Sequence, residues 1–435
     1  MRQNDAMTEP DRRRRRLTRL RRARLERRAL LRFLKDESSS GILLVTAAVV
    51  ALVWANSPWS DSYDDLWHAT LTLGSGEHAL RLSLQHWVND GLMTIFFLVV
   101  GLEINREFTS GHLRGRRAAT LPVVAALGGM AVPALLYLAV AGSTDARGWG
   151  IPMATDIALA LGVVALVGRS LPTSLRAFLL GLAVVDDIGA IVVIAVFYSS
   201  GVDWGWLGIA VAALAGALVG RRFGLNLLAV YVVLGAVMWF ALHEAGVHPT
   251  LAGVAMGLAA PTAERFARHG TPLIEHLEHR LHPWSGFVIV PVFALANSGV
   301  DLGSGIGDAV SSRVAWGVLL GLLVGKPIGV WVLTQLAVRA HWADAPAGTS
   351  PRQLLGAGHA AGIGFTVALF IAELAFDDPE LVAQAKIAIL VASVASGLVA
   401  AVVLRGGAGR GQLSGGQLSG GQSSSRPATD ASPSR

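Results

Sequence analysis

Residues 175–200 read L-R-A-F-L-L-G-L-A-V-V-D-D-I-G-A-I-V-V-I-A-V-F-Y-S-S. Crossing a bilayer by helix takes about 20 mostly apolar residues, so this run is long enough. Its interior charges are the adjacent Asp186 and Asp187, about ten residues in from either end. A charge at the bilayer centre costs at least about 2.5 kcal/mol on insertion scales, so such a residue marks function by default. Adjacent helix positions differ by about 100°, so one carboxylate can line a cavity while the other faces a neighbouring helix. Close carboxylates also resist simultaneous ionisation. Such a pair can hold a proton at one pH and a hard, oxygen-seeking cation such as Na+ at another. The plainer alternative is two buried acids satisfied by hydrogen bonds.

Working outward, eleven more apolar stretches have spanning character: 41–57, 86–104, 118–142, 149–168, 204–220, 225–244, 246–261, 284–300, 313–340, 352–376 and 381–404. The expected fold is an all-α polytopic membrane protein of about twelve transmembrane helices. Composition agrees. Of the 435 residues, 53% are hydrophobic and 15% are charged, whereas soluble domains are about a quarter charged. The 50 glycines suit closely packed membrane helices. A soluble globular enzyme and a DNA-binding body are excluded. The chain has no cysteine, so it has no disulfide, thiol nucleophile or Cys-ligated metal.

The net charge of +6 divides unevenly. Residues 1–35 hold fourteen basic and four acidic residues, a local +10, and the other 400 residues sum to −4. Three regions are expected: an Arg-rich cytoplasmic arm (1–35), a transmembrane domain (36–404) and a disordered Gly/Ser-rich cytoplasmic tail (405–435). The arm reads as a topology anchor or as a segment lying on anionic lipid. It is too long for the basic region of a signal peptide and lacks the interleaved aromatics of a nucleic-acid binder. With the N-terminus inside, thirteen loop arginines fall inside and three (Arg81, Arg147 and Arg313) fall outside. This places both termini in the cytoplasm.

Two further elements are expected between spans. Residues 69–85 alternate Leu71 and Leu73, then Leu80, Leu82 and Leu84, around Gly74-Ser75-Gly76. That is a β-hairpin signal on the outer face. Two strands alone are marginal, which leaves a homodimer through this hairpin open. Residues 262–282 suggest a cytoplasmic amphipathic helix, with Leu273, Ile274, Leu277 and Leu281 on one side.

Spans three to five and ten to twelve form two triplets of opposite starting side, each with an interrupted middle span. One break is Gly150-Ile151-Pro152-Met153-Ala154-Thr155-Asp156, and the other carries Gly356, Gly358, Gly362 and Gly364. Interrupted helices in inverted repeats point to a transporter's midplane site, although glycine for close packing is the competing explanation. Asp156 is placed to neutralise a positive half-helix N-terminus, with the Thr155 hydroxyl as an added ligand. Lys326, in Gly325-Lys326-Pro327, is placed to neutralise a C-terminus and to pair with Asp186 or Asp187, and Pro327 opens the backbone there. Glu103 and Glu107 lie on one face around Arg106 at the inner end of span two, where an ordinary interfacial cluster is the plain reading. Asp90 and Glu373 read as interfacial, and His248 as hydrogen-bonded structure or a pH sensor.

Eight stretches carry a family resemblance: F-F-L-V-V-G-L-E-I-N-R-E (96–107), P-M-A-T-D-I-A-L-A-L-G (152–162), L-A-V-V-D-D-I-G-A-I (182–191), A-G-V-H-P-T-L-A-G-V (245–254), L-H-P-W (281–284), F-A-L-A-N-S-G-V (293–300), G-K-P-I-G (325–329) and G-I-G-F-T (362–366). In this order they resemble the NhaA-type sodium/proton antiporters of bacterial inner membranes, over roughly residues 33–404. The resemblance implies twelve helices, with two inverted triplets whose broken helices cross. It implies that Asp187 is the main ligand of the transported cation, that Asp186 pairs with Lys326, and that Thr155 and Asp156 lie at the crossing. It links Glu103, Glu107, His248 and Glu278 to the pH response. The implied activity is electrogenic export of Na+ or Li+ against a larger number of protons, with no cofactor and no enzymatic step. The arm, the tail, Val367-Ala368 and Glu373 depart from the family pattern. The competing classes are an intramembrane aspartyl protease, a channel and a sodium-coupled symporter.

Overall fold

The computed structural model describes residues 37–74, 79–109, 111, 115–167, 171–199, 201–224, 228–261 and 273–408. The Arg-rich arm, the hairpin tip at 75–78, residues 262–272 of the expected amphipathic helix and the tail from 409 lie outside them.

Helices dominate. In chain order they are α1 (Glu37–Ala55), α2 (Ser60–His68), α3 (Met93–Thr109), α4 (Arg116–Ala141), a 3-10 helix (Ala146–Met153), α5 (Ile157–Val167), α6 (Thr173–Phe197), α7 (Trp204–Phe223), α8 (Leu228–Glu244) and α9 (Thr250–Ala259). There follow α10 (Leu273–Trp284), α11 (Val290–Asn297), α12 (Leu302–Ser311), α13 (Arg313–Leu320), α14 (Lys326–Arg339), α15 (Pro351–Ala361), α16 (Phe365–Ala375) and α17 (Pro379–Ala408). Among the described residues, seven helices are long and apolar enough to cross a membrane, or up to nine if two bent pairs each count as one span. The chain is thus a multi-pass membrane protein. Its lipid-facing side explains an inversion of the soluble rule: Ile42, Val196, Phe223 and Val402 are all exposed, as they must be where the solvent is hydrocarbon.

Each of the twelve apolar stretches holds helix. The stretches 225–244 and 246–261 are divided at residues 245–249, between α8 and α9. Strands β1 (Thr70–Leu73) and β2 (Leu80–Ser83) pair antiparallel, with Leu71 opposite Leu82 and Leu73 opposite Leu80. The helix from Leu273 does place Ile274, Leu277 and Leu281 together against Leu102 and Ala260. It does not stop there. A π-turn at Ser285–Ile289 carries it on into α11. At the other end, α17 runs to Ala408, three residues beyond the expected start of the tail.

Local chemistry sets the helix ends. Ser350 and Gln353 form a reciprocal capping box with Pro351 in the first turn of α15. Asp203 caps α7 through Gly205 N–H and Trp206 N–H, and Gly224 closes it with a left-handed φ of 79°. Between helices, Gly128 of α4 faces Gly329 of α14. A β-carbon on either would collide with the other's carbonyl, so this approach of the two backbones requires glycine.

Two helices are broken in mid-course. The 3-10 helix gives way at Ala154, whose ψ of 150° is extended, and α5 resumes at Ile157. Helices α15 and α16 meet at 47° across Gly362-Ile363-Gly364. The two breaks touch, with Asp156 N–H donating to the Ile363 carbonyl at 2.6 Å.

Candidate functional site

Each broken helix exposes two kinds of backbone end. The N-terminal ends carry unsatisfied N–H groups and partial positive charge, and the C-terminal ends carry carbonyls and partial negative charge. Buried Asp156 serves both N-terminal ends. Its Oδ1 accepts from Leu159 N–H of its own helix α5 at 3.0 Å. Its Oδ2 accepts from the Thr366 hydroxyl (2.7 Å) and Thr366 N–H (3.2 Å) of α16. The C-terminal ends have their own partners. Lys326 Nζ donates to the Met153 carbonyl that closes the 3-10 helix, and the Thr155 hydroxyl lies 2.9 Å from the Ala361 carbonyl that closes α15. Asp156 thus lies at N-terminal helix ends and Lys326 at a C-terminal one.

Helix α6 runs unbroken past this crossing and brings Asp186 and Asp187 to it, both buried. Their surroundings differ. Asp186 Oδ2 pairs with Lys326 Nζ at 2.7 Å, with both side chains fully enclosed, and lies 2.7 Å from the Thr155 hydroxyl. A π-turn at Gly321–Gly325 stands directly before Lys326, with Pro327 in the first turn of α14. Pro327 has no N–H and its ring excludes the regular helical carbonyl, so the backbone widens there. Asp187 makes no hydrogen bond or ion pair to any described residue. It instead lines a cavity of about 130 Å³ with Thr155, Asp156, Thr366, Glu103, Ser40 and His282.

The four residues linked to the pH response separate. Glu103 lines the cavity. Arg106 ties Glu107 (3.6 Å) to Glu278 (2.7 Å) on the neighbouring α10. His248 is elsewhere, in the α8–α9 turn, with Nε2 2.9 Å from the Tyr198 carbonyl at the far end of α6. Three of the four thus gather at one end of the molecule and the fourth lies at the other.

Sequence reasoning passed over two buried groups. Thr366 sits in a quoted stretch but was not singled out, because only the fold brings it to Asp156. Lys386, on α17, pairs with Glu373 at 2.5 Å. The rule that marked Lys326, an ionisable residue within an apolar span, would have marked Lys386 too. Glu373, read as interfacial, has 22% of its side chain exposed beside that lysine. Among the described residues no cluster of His, Asp and Glu is arranged to hold a resident metal ion.

Comparison with known proteins adds an independent line. Residues 31–404 match the family model described as Na+/H+ antiporter 1. A protein of Sorangium cellulosum named Na(+)/H(+) antiporter NhaA 2 is 45% identical, over 86% of this chain and 89% of its own length. A Myxococcus xanthus protein of the same name is 46% identical, over 89% and 91%. The Na(+)/H(+) antiporter NhaA of Acidovorax sp. is 49% identical, over 84% and 88%.

Proposed function

Since the chain belongs to the Na+/H+ antiporter 1 family, we propose that it moves cytoplasmic Na+ or Li+ outward in exchange for external protons across a bacterial inner membrane. The observation that carries this reading is the unequal pair on α6. Asp186 is held by Lys326, while Asp187 faces a cavity with its oxygens uncommitted. A carboxylate so placed can take either a proton or a hard cation, but not both at once. The two ions compete for one site, and that competition enforces exchange without a separate gate.

Protons from outside bind the carboxylates of Asp187 and Asp186, and Lys326 stays charged as its pair with Asp186 opens. The carrier turns inward, the protons leave, and Na+ takes the Asp187 oxygens. The reverse turn releases Na+ outside. One proton at Asp187 and a second at Asp186 exceed the single charge of Na+, so transport is electrogenic. Asp156 and Lys326 keep the half-helix ends neutral throughout, with Thr155 beside them. The carboxylates and Arg106 at the Glu103 end provide the pH response.

The architecture proposed is twelve spans with both termini cytoplasmic. It takes the seven long helices, the two bent pairs, α8, α9 and the α10–α11 helix as one span each. The triplets α4 to α6 and α13 to α17 are proposed as inverted repeats, supported by a broken middle helix in each and by the contact between the breaks. Among the described residues exposed β1 pairs with β2 on one edge alone, which supports a homodimer built through the hairpin. The proposed assembly sits in lipid and needs no cofactor.

The protease alternative is weaker. Its chemistry needs two acids facing each other from different elements, and here the buried pair is adjacent on one helix with a lysine on one member. A G-x-G-D string does occur at Gly305–Asp308, but it lies on the short helix α12 with Asp308 exposed. The deciding experiment is a pH-gradient assay in everted vesicles. Added Na+ or Li+ should collapse a preformed gradient while K+ should not, and the apparent Na+ affinity should fall as the medium is acidified. A gradient that survives added Na+ overturns antiport. A gradient that deepens favours a symporter.

A further inference from the structure

The inner cavity occupies a seam. On one side stand Ser40, Phe96, Glu103 and Val290 of α1, α3 and α11. On the other stand Asp156, Asp187 and Thr366 of α5, α6 and α16. At the opposite end of the molecule a second cavity, of about 370 Å³, opens on the same seam. Trp67 of α2, Gln85 before α3, Ala296 of α11 and Asp301 before α12 bound it on one side, and Glu373 and Lys386 on the α16–α17 side.

Two layers separate this outer cavity from Asp187. The deeper is aromatic. Phe370 lies one helical turn after Thr366 and is fully buried. It reaches across the seam to Phe97 of α3 (ring centres 5.4 Å apart) and Phe293 of α11 (6.3 Å). The outer layer is polar. Asn297, also fully buried, accepts through Oδ1 from Gln85 (3.1 Å) and Asn89 (3.2 Å). Its Nδ2 donates to Asn89 Oδ1 (2.8 Å) and to the Phe293 carbonyl (2.9 Å). Gln85 itself lines the outer cavity, so the amides connect that cavity to the aromatic layer.

Inter-helix adhesion alone would account for amide bonds between α11 and the segment before α3. It would not account for their place on the seam, between the 370 Å³ outer cavity and the Phe370 ring. Amide oxygens are suitable ligands for a hard cation, and a cation leaving Asp187 outward needs such oxygens wherever water is excluded.

We propose that the external half of the ion path runs from the crossing past Phe370, through the Gln85–Asn297–Asn89 amides, into the outer cavity. Asn297 is the positioning residue that stands in for part of the cation's hydration shell, and Phe370 is the side chain that must move aside. This rests on the antiport reading above.

Because the chain has no cysteine, single-cysteine variants report cleanly. Gln85→Cys and Ala296→Cys should react with a membrane-impermeant thiol reagent in right-side-out vesicles. Their rates should rise under conditions that draw the carrier outward-open and be slowed by external Na+ or Li+ but not by K+. Arg81→Cys on the hairpin is the reference, with a constant rate. If positions 85 and 296 follow that reference in vesicles that exchange Na+ for protons, the path is wrong and antiport stands. If the unsubstituted chain fails to exchange, the functional reading fails instead. In a second test, Asn297→Leu should weaken the apparent affinity for external Na+ by roughly tenfold, and by more than for internal Na+ measured in everted vesicles. An equal loss on both sides, with reduced thermal stability, assigns Asn297 to adhesion alone and overturns its role in transit.

Discussion

Asp156 and Thr366, 210 positions apart in the chain, meet at 2.7 Å with the Thr366 hydroxyl donating to the Asp156 carboxylate. That bond joins the two broken helices at their positive ends, so it holds the crossing together and shapes the wall of the cavity beside Asp187.

Thr366→Val removes the hydroxyl but keeps the backbone donor. A hydrogen bond to a charged group is worth about 1.5–3 kcal/mol, so the purified variant should unfold at a lower temperature. Thr366→Ser should recover most of the difference. Differential scanning fluorimetry in detergent checks both.

Asp187→Asn should abolish Na+-dependent exchange while leaving thermal stability near that of the unsubstituted protein, because no described side chain depends on Asp187. Asp186→Asn should behave in the opposite order of severity for folding. It leaves Lys326 buried without its counter-ion, which costs about 3–5 kcal/mol. Pairing Asp186→Asn with Lys326→Met should restore stability but not transport. Full Na+-dependent exchange by Asp187→Asn would refute its assignment as the cation ligand.

Lys386→Met should destabilise the outer ends of α16 and α17 by stranding Glu373. The exchanged pair, Lys386→Glu with Glu373→Lys, should recover much of the loss. Thermal unfolding of the two variants, side by side, decides whether the 2.5 Å contact contributes to folding.

Gly329→Leu places a side chain against the α4 backbone at Gly128. Overpacking of this kind costs about 1–3 kcal/mol or more, and here the colliding atom is a carbonyl that cannot rotate away. The variant should yield little monodisperse protein on size-exclusion chromatography, whereas Gly208→Ala, in α7 with open space around it, should not reduce the yield.

Orientation is testable with the same cysteine-free background. An impermeant maleimide on intact cells should label Arg81→Cys but not Arg339→Cys. The reverse pattern would invert the proposed topology and place the 130 Å³ cavity on the outside.

Composition and apolar run length were enough to read a multi-pass helical protein, to locate the helical stretches and to single out Asp156, Asp186, Asp187 and Lys326. Those properties are local: a span must be apolar over its own length, and a charge within it stands out against its own neighbours. The β-hairpin was legible for the same reason, from strict alternation around a glycine turn. Tertiary structure alone decided which of two adjacent carboxylates is engaged by Lys326 and which faces the cavity. A 100° step around a helix assigns no partners until the neighbouring helices are placed. It also decided that Thr366 meets Asp156, that Glu373 meets Lys386, and that His248 stands apart from Glu103, Glu107 and Glu278. Each of these is a long-range contact made by helix crossing, and no periodicity along the chain encodes it.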